Sequence, residues 1–184
     1  MRVTHRCLAR HTRHRARETA PRCRITEQRV LFLCTQHSAR SQMAEGLLRA
    51  MADDRFEVQS AGTQKTSVHP LAIRAMAERG IDIRGQTSKV FVGLMKDPWD
   101  YIITVCDDAN EKCPLVPGMR NRLHWPLPDP SQATGSEDDW LSVFRRVRDE
   151  IEARLADWLK AQSAVSTQSA EGRSLGSVAK ARGS

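Results

Sequence analysis

The chain reads as an α/β protein, a three-layer sandwich around a four-stranded parallel sheet. Three observations carry that reading. Strand-like and helix-like segments alternate along the middle of the sequence. Two of the strands, "RVLFL" (29–33) and "DYIITVC" (100–106), are near-continuous apolar runs, as strands covered on both faces are. Chemically active residues also recur just past strand ends, where ligands of such sheets bind.

Each element has its own local reason. "RVLFL" is followed by "ARSQMAEGLLRAMA" (39–52), with Met43, Leu47, Leu48 and Met51 at helical spacing. "FEVQSA" (56–61) is a second strand closed by Gly62, and "HPLAIRAMAERG" (69–80) a helix with Pro70 in its first turn and Gly80 as its stop. The β-branched run at 100–106 is the third strand, and "RLHWPL" (122–127) a short fourth that ends at Pro126 and Pro128. The last helix, 136–162, opens on a Ser136/Asp139 capping box and three acidic residues that suit a positive helix end. Trp140, Phe144, Val147, Ile151, Leu155 and Trp158 form its apolar stripe, expected to face the core.

The net charge of +7 is carried by the ends. Residues 1–29 hold nine arginines against two glutamates, whereas residues 30–160 hold seventeen basic and nineteen acidic groups. A solvated basic arm is therefore favoured over a nucleic-acid interface. Residues 1–28 read as a disordered basic extension, 29–160 as one folded domain, and 161–184, rich in Ser, Ala and Gly, as a flexible tail. No run of eighteen apolar residues is present and the N-terminus lacks the apolar stretch of a secretory signal, so a cytoplasmic, membrane-free protein is expected. Five cysteines are odd in number, which points to reactive thiols and not to a structural disulfide framework.

The segment "VLFLCTQHSARSQMAEG" (30–46) places Cys34 at a strand end and Arg40 six positions on, at the start of a helix. A tight turn of this kind, Thr35 to Ser41, aims backbone N–H groups at one centre, and the helix adds its positive end. Arg40 supplies a planar fork that fits a tetrahedral oxyanion. The same field favours a Cys34 thiolate of depressed pKa, with the Ser41 hydroxyl placed to donate to its sulfur. Asp129, in the proline-stiffened "LPDP" loop, suits proton transfer, or equally a turn cap. Cys106 and Cys113 lie seven apart in "VCDDANEKCP", wider than a zinc knuckle, with no matching pair elsewhere, so no metal site is expected. The intervening Asp107, Asp108 and Asn110 favour a short helical turn that can fray and bring two sulfurs together.

Residues 29–160 resemble the low-molecular-weight protein tyrosine phosphatases, and more closely the thioredoxin-coupled arsenate reductases built on that fold. The resemblance rests on "CTQHSARSQMAEG" (34–46), "SAGT" (60–63), "VCDDANEKCP" (105–114), "HWPLPDP" (124–130) and "FRRVRDEI" (144–151). It implies a three-cysteine relay that reduces arsenate to arsenite. Cys34 would be the nucleophile, Thr35, Gln36, His37, Ser38, Ala39, Arg40 and Ser41 the oxyanion loop, and Asp129 the proton-transfer group. Disulfides Cys34–Cys106 and then Cys106–Cys113 would form in turn. It also implies thioredoxin as reductant, or a mycothiol and mycoredoxin system in its place, and a monomer with no tightly bound cofactor. The alternative is a phosphatase acting on phosphotyrosine, phosphoarginine or a small phosphate ester, which would need Cys34, Arg40 and Asp129 alone. Two departures matter. His37 stands where the family has Asn, which puts a potassium requirement in question and leaves His37 either a hydrogen-bond donor or a charge. Pro130, Ser131 and Gln132 stand where phosphatases carry substrate-stacking aromatics, leaving Trp125 or Trp99 to line the mouth.

Overall fold

The computed structural model describes residues 28–112 and 119–175. The expectations for the basic extension, with Cys7 and Cys23, for Cys113, and for the tail past Leu175 lie outside the described residues.

Four strands form one parallel sheet: β1 (Gln28–Cys34), β2 (Phe56–Gly62), β3 (Tyr101–Thr104) and β4 (Asn121–His124), in the order β2-β1-β3-β4. The chain steps from β1 to β2 on one side and then crosses to β3 on the other. The direction reverses between β1 and β3, so the crevice for a ligand opens at their carboxyl ends. Those ends carry Cys34 and lead into Cys106.

Successive side chains of a strand point to opposite faces, and both faces here are apolar. Val30, Phe32 and Ile103 join Met43, Leu47 and Leu48 of α1 (Arg40–Ala52) and Phe144, Val147, Ile151 and Leu155 of α4 (Glu137–Leu175) in the main core. Leu31, Leu33 and Ile102 pack on Phe91 and Trp99 on the other side, beneath a 3-10 turn at Phe91–Leu94. Helix α2 (Pro70–Ala77) contributes Leu71, Ala72, Ala75 and Met76 to the main core. The short α3 (Asp107–Lys112) follows β3 directly.

The structure differs from the sequence reading at three points. β4 stops at His124, because Pro126 has no N–H to continue a ladder. α4 runs on through Leu175, past the 161 boundary of the expected flexible tail, since no proline interrupts it; Leu159 is the last buried apolar side chain among those described in it. Trp140 is 36 % exposed, and Leu141 takes its place in the core one position on. The capping box is as expected: Asp139 N–H donates to Ser136 Oγ at 3.3 Å and Ser136 N–H to Asp139 Oδ2 at 2.9 Å. Gly80, at φ 72°, ends the α2 region by a left-handed turn. Among the described residues no helix is long and apolar enough to cross a membrane, and no three His, Cys, Asp or Glu side chains are grouped to hold a metal.

Candidate active site

β1 delivers Cys34, 2 % exposed, to the floor of a loop that closes into α1 at Arg40. The loop's carbonyls are drawn outward. Cys34 O accepts from Thr63 N–H at 3.3 Å, Thr35 O from Gln64 N–H at 3.1 Å, Gln36 O from Thr66 Oγ1 at 2.5 Å, His37 O from Gln42 Nε2 at 3.2 Å and Ser38 O from His69 N–H at 2.8 Å. A trans peptide places its N–H opposite its C=O, so the N–H groups of residues 35–39 turn inward together. One of them is caught doing so: His37 N–H donates to Cys34 Sγ at 3.0 Å. Ser41 Oγ lies 2.9 Å from the same sulfur. The loop thus surrounds a buried thiol with inward N–H groups, an arrangement able to receive an anion.

Gly62 makes the cradle possible. A Cβ there would come within 2.6 Å of His37 Cβ and 2.8 Å of Thr35 O. The glycine of "SAGT" therefore lets the loop lie directly against the end of β2.

His37 replaces an asparagine of the resemblance at a left-handed position, φ 52°. It is fully buried, and its ring is fixed at both nitrogens. Lys89 N–H donates to Nδ1 at 2.8 Å, so Nδ1 is an acceptor and Nε2 carries the proton. Nε2 then donates to Ser60 Oγ at 2.7 Å, and Ser60 passes its own proton toward the buried carboxylate of Glu45. Arg49, 2.7 Å from Glu45 Oε1, closes the chain. Burial, with Lys89 nearby, lowers the His37 pKa to about 4. Of the two roles open at the sequence level, the neutral hydrogen-bond donor is the one built here.

Arg40 and Asp129 meet: Nη2 lies 3.1 Å from Oδ2, while Nη1 donates to Leu127 O at 3.0 Å. Asp129 also caps the 3-10 turn Pro130–Gln132, accepting from Ser131 N–H at 3.1 Å and Ser131 Oγ at 2.8 Å. The turn-cap reading of Asp129 is thus what is seen, and the same carboxylate also reaches Arg40 of the loop. The expected depression of the Cys34 pKa is not what the site produces. Burial pushes the thiol up, outweighing the Ser41 hydroxyl, the His37 N–H and Arg40, whose charge is shared with Asp129.

Cys106 is 6 % exposed at the end of β3, and its Sγ lies 3.3 Å from Thr35 Oγ1, on the residue next to Cys34. Both cysteines are free thiols. Trp99 does not line the mouth. It is buried under Arg29, 4.5 Å from the guanidinium, on the far face of the sheet. Trp125 is half-buried against Phe32.

Several participants were missed in the sequence. Glu45 and Gln42 are buried although they lie off the apolar stripe of Met43, Leu47, Leu48 and Met51, so the helical period of α1 did not point to them. Ser60 sat unread inside "SAGT", and Ser88 and Lys89 had no local signal at all. His69 caps α2 through Nδ1, accepting from Leu71 N–H at 3.2 Å, and stacks on Phe144 with ring centroids 4.7 Å apart.

Residues 29–169 match the family model described as low-molecular-weight phosphotyrosine protein phosphatase. Among curated relatives, an arsenate reductase from Shouchella clausii is 44 % identical over 132 residues, 71 % of this chain and 94 % of the relative. A solved arsenate reductase in its phosphate-binding state superposes with a TM-score of 0.61 at 33 % identity, covering 73 % of this chain and 98 % of the other. A thioredoxin-dependent arsenate reductase from Corynebacterium glutamicum superposes at 0.58 with 27 % identity, over 75 % of this chain and 63 % of that one. By this family match and these relatives, the chain belongs to the low-molecular-weight phosphotyrosine protein phosphatase family, in its arsenate reductase branch.

Proposed function

We propose that the protein reduces arsenate to arsenite by a relay of three thiols. The observation that carries this is the second thiol: Cys106 is held 3.3 Å from Thr35 Oγ1, beside the nucleophile, where phosphoryl transfer would need no sulfur. In the first step the Cys34 sulfur displaces an arsenate oxygen as water, forming a sulfur–arsenic bond. The inward N–H groups and Arg40 hold the remaining oxygens, and Asp129 manages the proton. Cys106 then attacks the Cys34 sulfur. A Cys34–Cys106 disulfide forms, the sulfur–arsenic bonding pair stays on arsenic, and arsenite leaves. Cys113 attacks Cys106 in turn, freeing Cys34 as thiolate, and thioredoxin reduces the Cys106–Cys113 disulfide. The thioredoxin dependence of the Corynebacterium relative supports that choice of reductant over mycothiol and mycoredoxin.

The relay requires α3 to move. Seven residues at helical rise span about 10 Å, whereas a disulfide needs its Cα atoms about 4.4–6.8 Å apart. A helical path from Cys106 to Cys113 is therefore incompatible with the second disulfide. The protein is expected to act without potassium, because His37, Ser60 and Glu45 satisfy one another and Arg49 neutralises the carboxylate. The same cradle supports residual hydrolysis of aryl phosphates. A phosphatase acting on phosphotyrosine is the weaker reading, since Pro130–Gln132 is a tight turn with no ring to stack on a substrate.

The deciding experiment is a single turnover of Cys113→Ser. One arsenite per protein with a trapped Cys34–Cys106 disulfide is expected, against none in Cys34→Ser. Sustained turnover of Cys113→Ser with thioredoxin as the only reductant would overturn the relay. Arsenate-dependent NADPH oxidation with thioredoxin and its reductase, compared with a mycothiol and mycoredoxin system, identifies the reductant.

A further inference from the structure

We propose that His124 and Arg122, on the edge strand β4, are positioning residues that latch α3 in its reduced-state seat and so set the redox poise of Cys106. The inference rests on the relay reading above and concerns residues that reading leaves unused.

α3 has little apolar anchorage. Among its described side chains only Ala109 is in the core, while Asp107, Asp108 and Glu111 are exposed. One buried alanine methyl is a small apolar anchor for a six-residue helix. The helix is instead fastened by polar contacts at both its turns. His124 Nε2 donates to Asp107 Oδ1 at 3.0 Å, in the turn that follows Cys106. Its Nδ1 lies 2.9 Å from Thr104 Oγ1, a fully buried hydroxyl that also sits 3.3 Å from Asn110 Oδ1. Arg122 Nη2 donates to Asn110 Oδ1 at 3.0 Å and to the Asn110 carbonyl. Residues 122 and 124 share one face of β4 because strand side chains alternate. Two β4 side chains therefore grip the first turn and the fourth residue of α3. Asn110 N–H closes the intervening turn onto Cys106 O at 3.1 Å.

These contacts exist only while α3 is helical and seated. The Cys106–Cys113 disulfide needs that helix to shorten, so the latch stabilises the dithiol and opposes the disulfide. In the resolving step Cys113 thiolate attacks Cys106, a new S–S bond forms and Cys34 departs as thiolate; no external oxidant enters. Weakening the latch leaves this chemistry unchanged but shifts its equilibrium. The reduced form loses stabilisation, so the midpoint potential of the Cys106–Cys113 couple falls.

The experiment uses the full chain with His124→Ala, Arg122→Ala and His124→Gln, the last keeping a donor for Asp107. Hydrogen exchange of the reduced proteins should show amides of Cys106 to Lys112 opening about tenfold faster in the two alanine variants, with β1 and β3 unchanged. A tenfold change in the redox equilibrium corresponds to about 30 mV for a two-electron couple, and a fall of that size is expected in titration against glutathione. His124→Gln should recover most of both effects. Aryl phosphate hydrolysis, which uses none of these contacts, serves as the fold control. Unchanged α3 exchange in both alanine variants, or exchange raised equally throughout the sheet, overturns the latch. Accelerated α3 exchange with an unchanged potential overturns its redox role. A wild-type protein that forms no Cys106–Cys113 disulfide overturns the relay itself, and the exchange data still decide the latch.

Discussion

Arg40 is held by Asp129, with 3.1 Å between Nη2 and Oδ2, and by the Leu127 carbonyl at 3.0 Å. The group expected to hold the oxyanion and the group expected to move its proton therefore begin by serving each other. The pair is largely screened from water, with 11 % and 22 % of the side chains exposed, so an incoming oxyanion must compete with a carboxylate for the guanidinium.

Asp129→Asn should separate binding from chemistry. Without the carboxylate charge Arg40 is free for the anion, and inhibition by inorganic phosphate should tighten about fivefold, the equivalent of roughly 1 kcal/mol for such a pair. Turnover of an aryl phosphate should fall about 10²–10⁴-fold with loss of the proton-transfer group. Weaker phosphate inhibition in this variant would contradict the competition.

Gly62→Ala should disable the cradle while sparing the sheet. The new methyl meets His37 Cβ and Thr35 O, both part of the loop that shapes the site. A stability loss of about 1–3 kcal/mol should accompany a loss of phosphate binding, read by calorimetry, with a near-native far-UV spectrum. Wild-type phosphate affinity would show that the loop yields easily.

His37 carries a pH signature. An unfolded histidine protonates near 6.5, whereas His37 in the folded protein does so at about 4. Between these values the unfolded chain binds the additional proton. The stability contribution is thus complete above about pH 6.5 and is lost as pH falls toward 4, by at most roughly 3 kcal/mol. Urea denaturation of wild type and His37→Asn at pH 7.5, 5.5 and 4.5 should show wild type losing stability relative to the variant as pH falls. A constant difference would mean that the imidazole is not held neutral.

A chain cut to residues 28–162 should fold and turn over arsenate. Among the described side chains of α4 the last buried apolar one is Leu159, and Tyr101 Oη, 2.7 Å from Gln162 Oε1, ties the end of this segment to β3. Loss of activity with the fold retained, seen by circular dichroism beside the thioredoxin-coupled assay, would assign a role to the removed ends.

The sheet, its helices and the cradle were legible because they depend on short-range rules. Apolar period marked α1 and α4, a proline and a glycine bounded the α2 segment, and five residues between a strand-end thiol and a helix-start guanidinium defined the loop. Even the departure at His37 was visible, though not its protonation state. That depends on the Lys89 amide and on Ser60, which come from elsewhere in the chain and meet the ring only once β2 lies beside β1. The Cys34 pKa was misjudged for a related reason. Local reasoning counts the dipoles and the arginine, but desolvation and the approach of Cys106 are properties of the closed fold.

The sequence by itself determined which groups can react: a strand-end cysteine, an arginine fork, a proline-stiffened carboxylate and a second thiol after another strand. Only the tertiary structure decided which of them meet. Strand order is not written in any one strand; placing β1 between β2 and β3 brings Cys106 to Thr35, Gly62 to the back of the loop, and β4 with His124 against α3. Residue type and spacing act over one or two turns of chain, whereas these contacts join positions 17 to 71 residues apart and form only when burial of both sheet faces selects one arrangement.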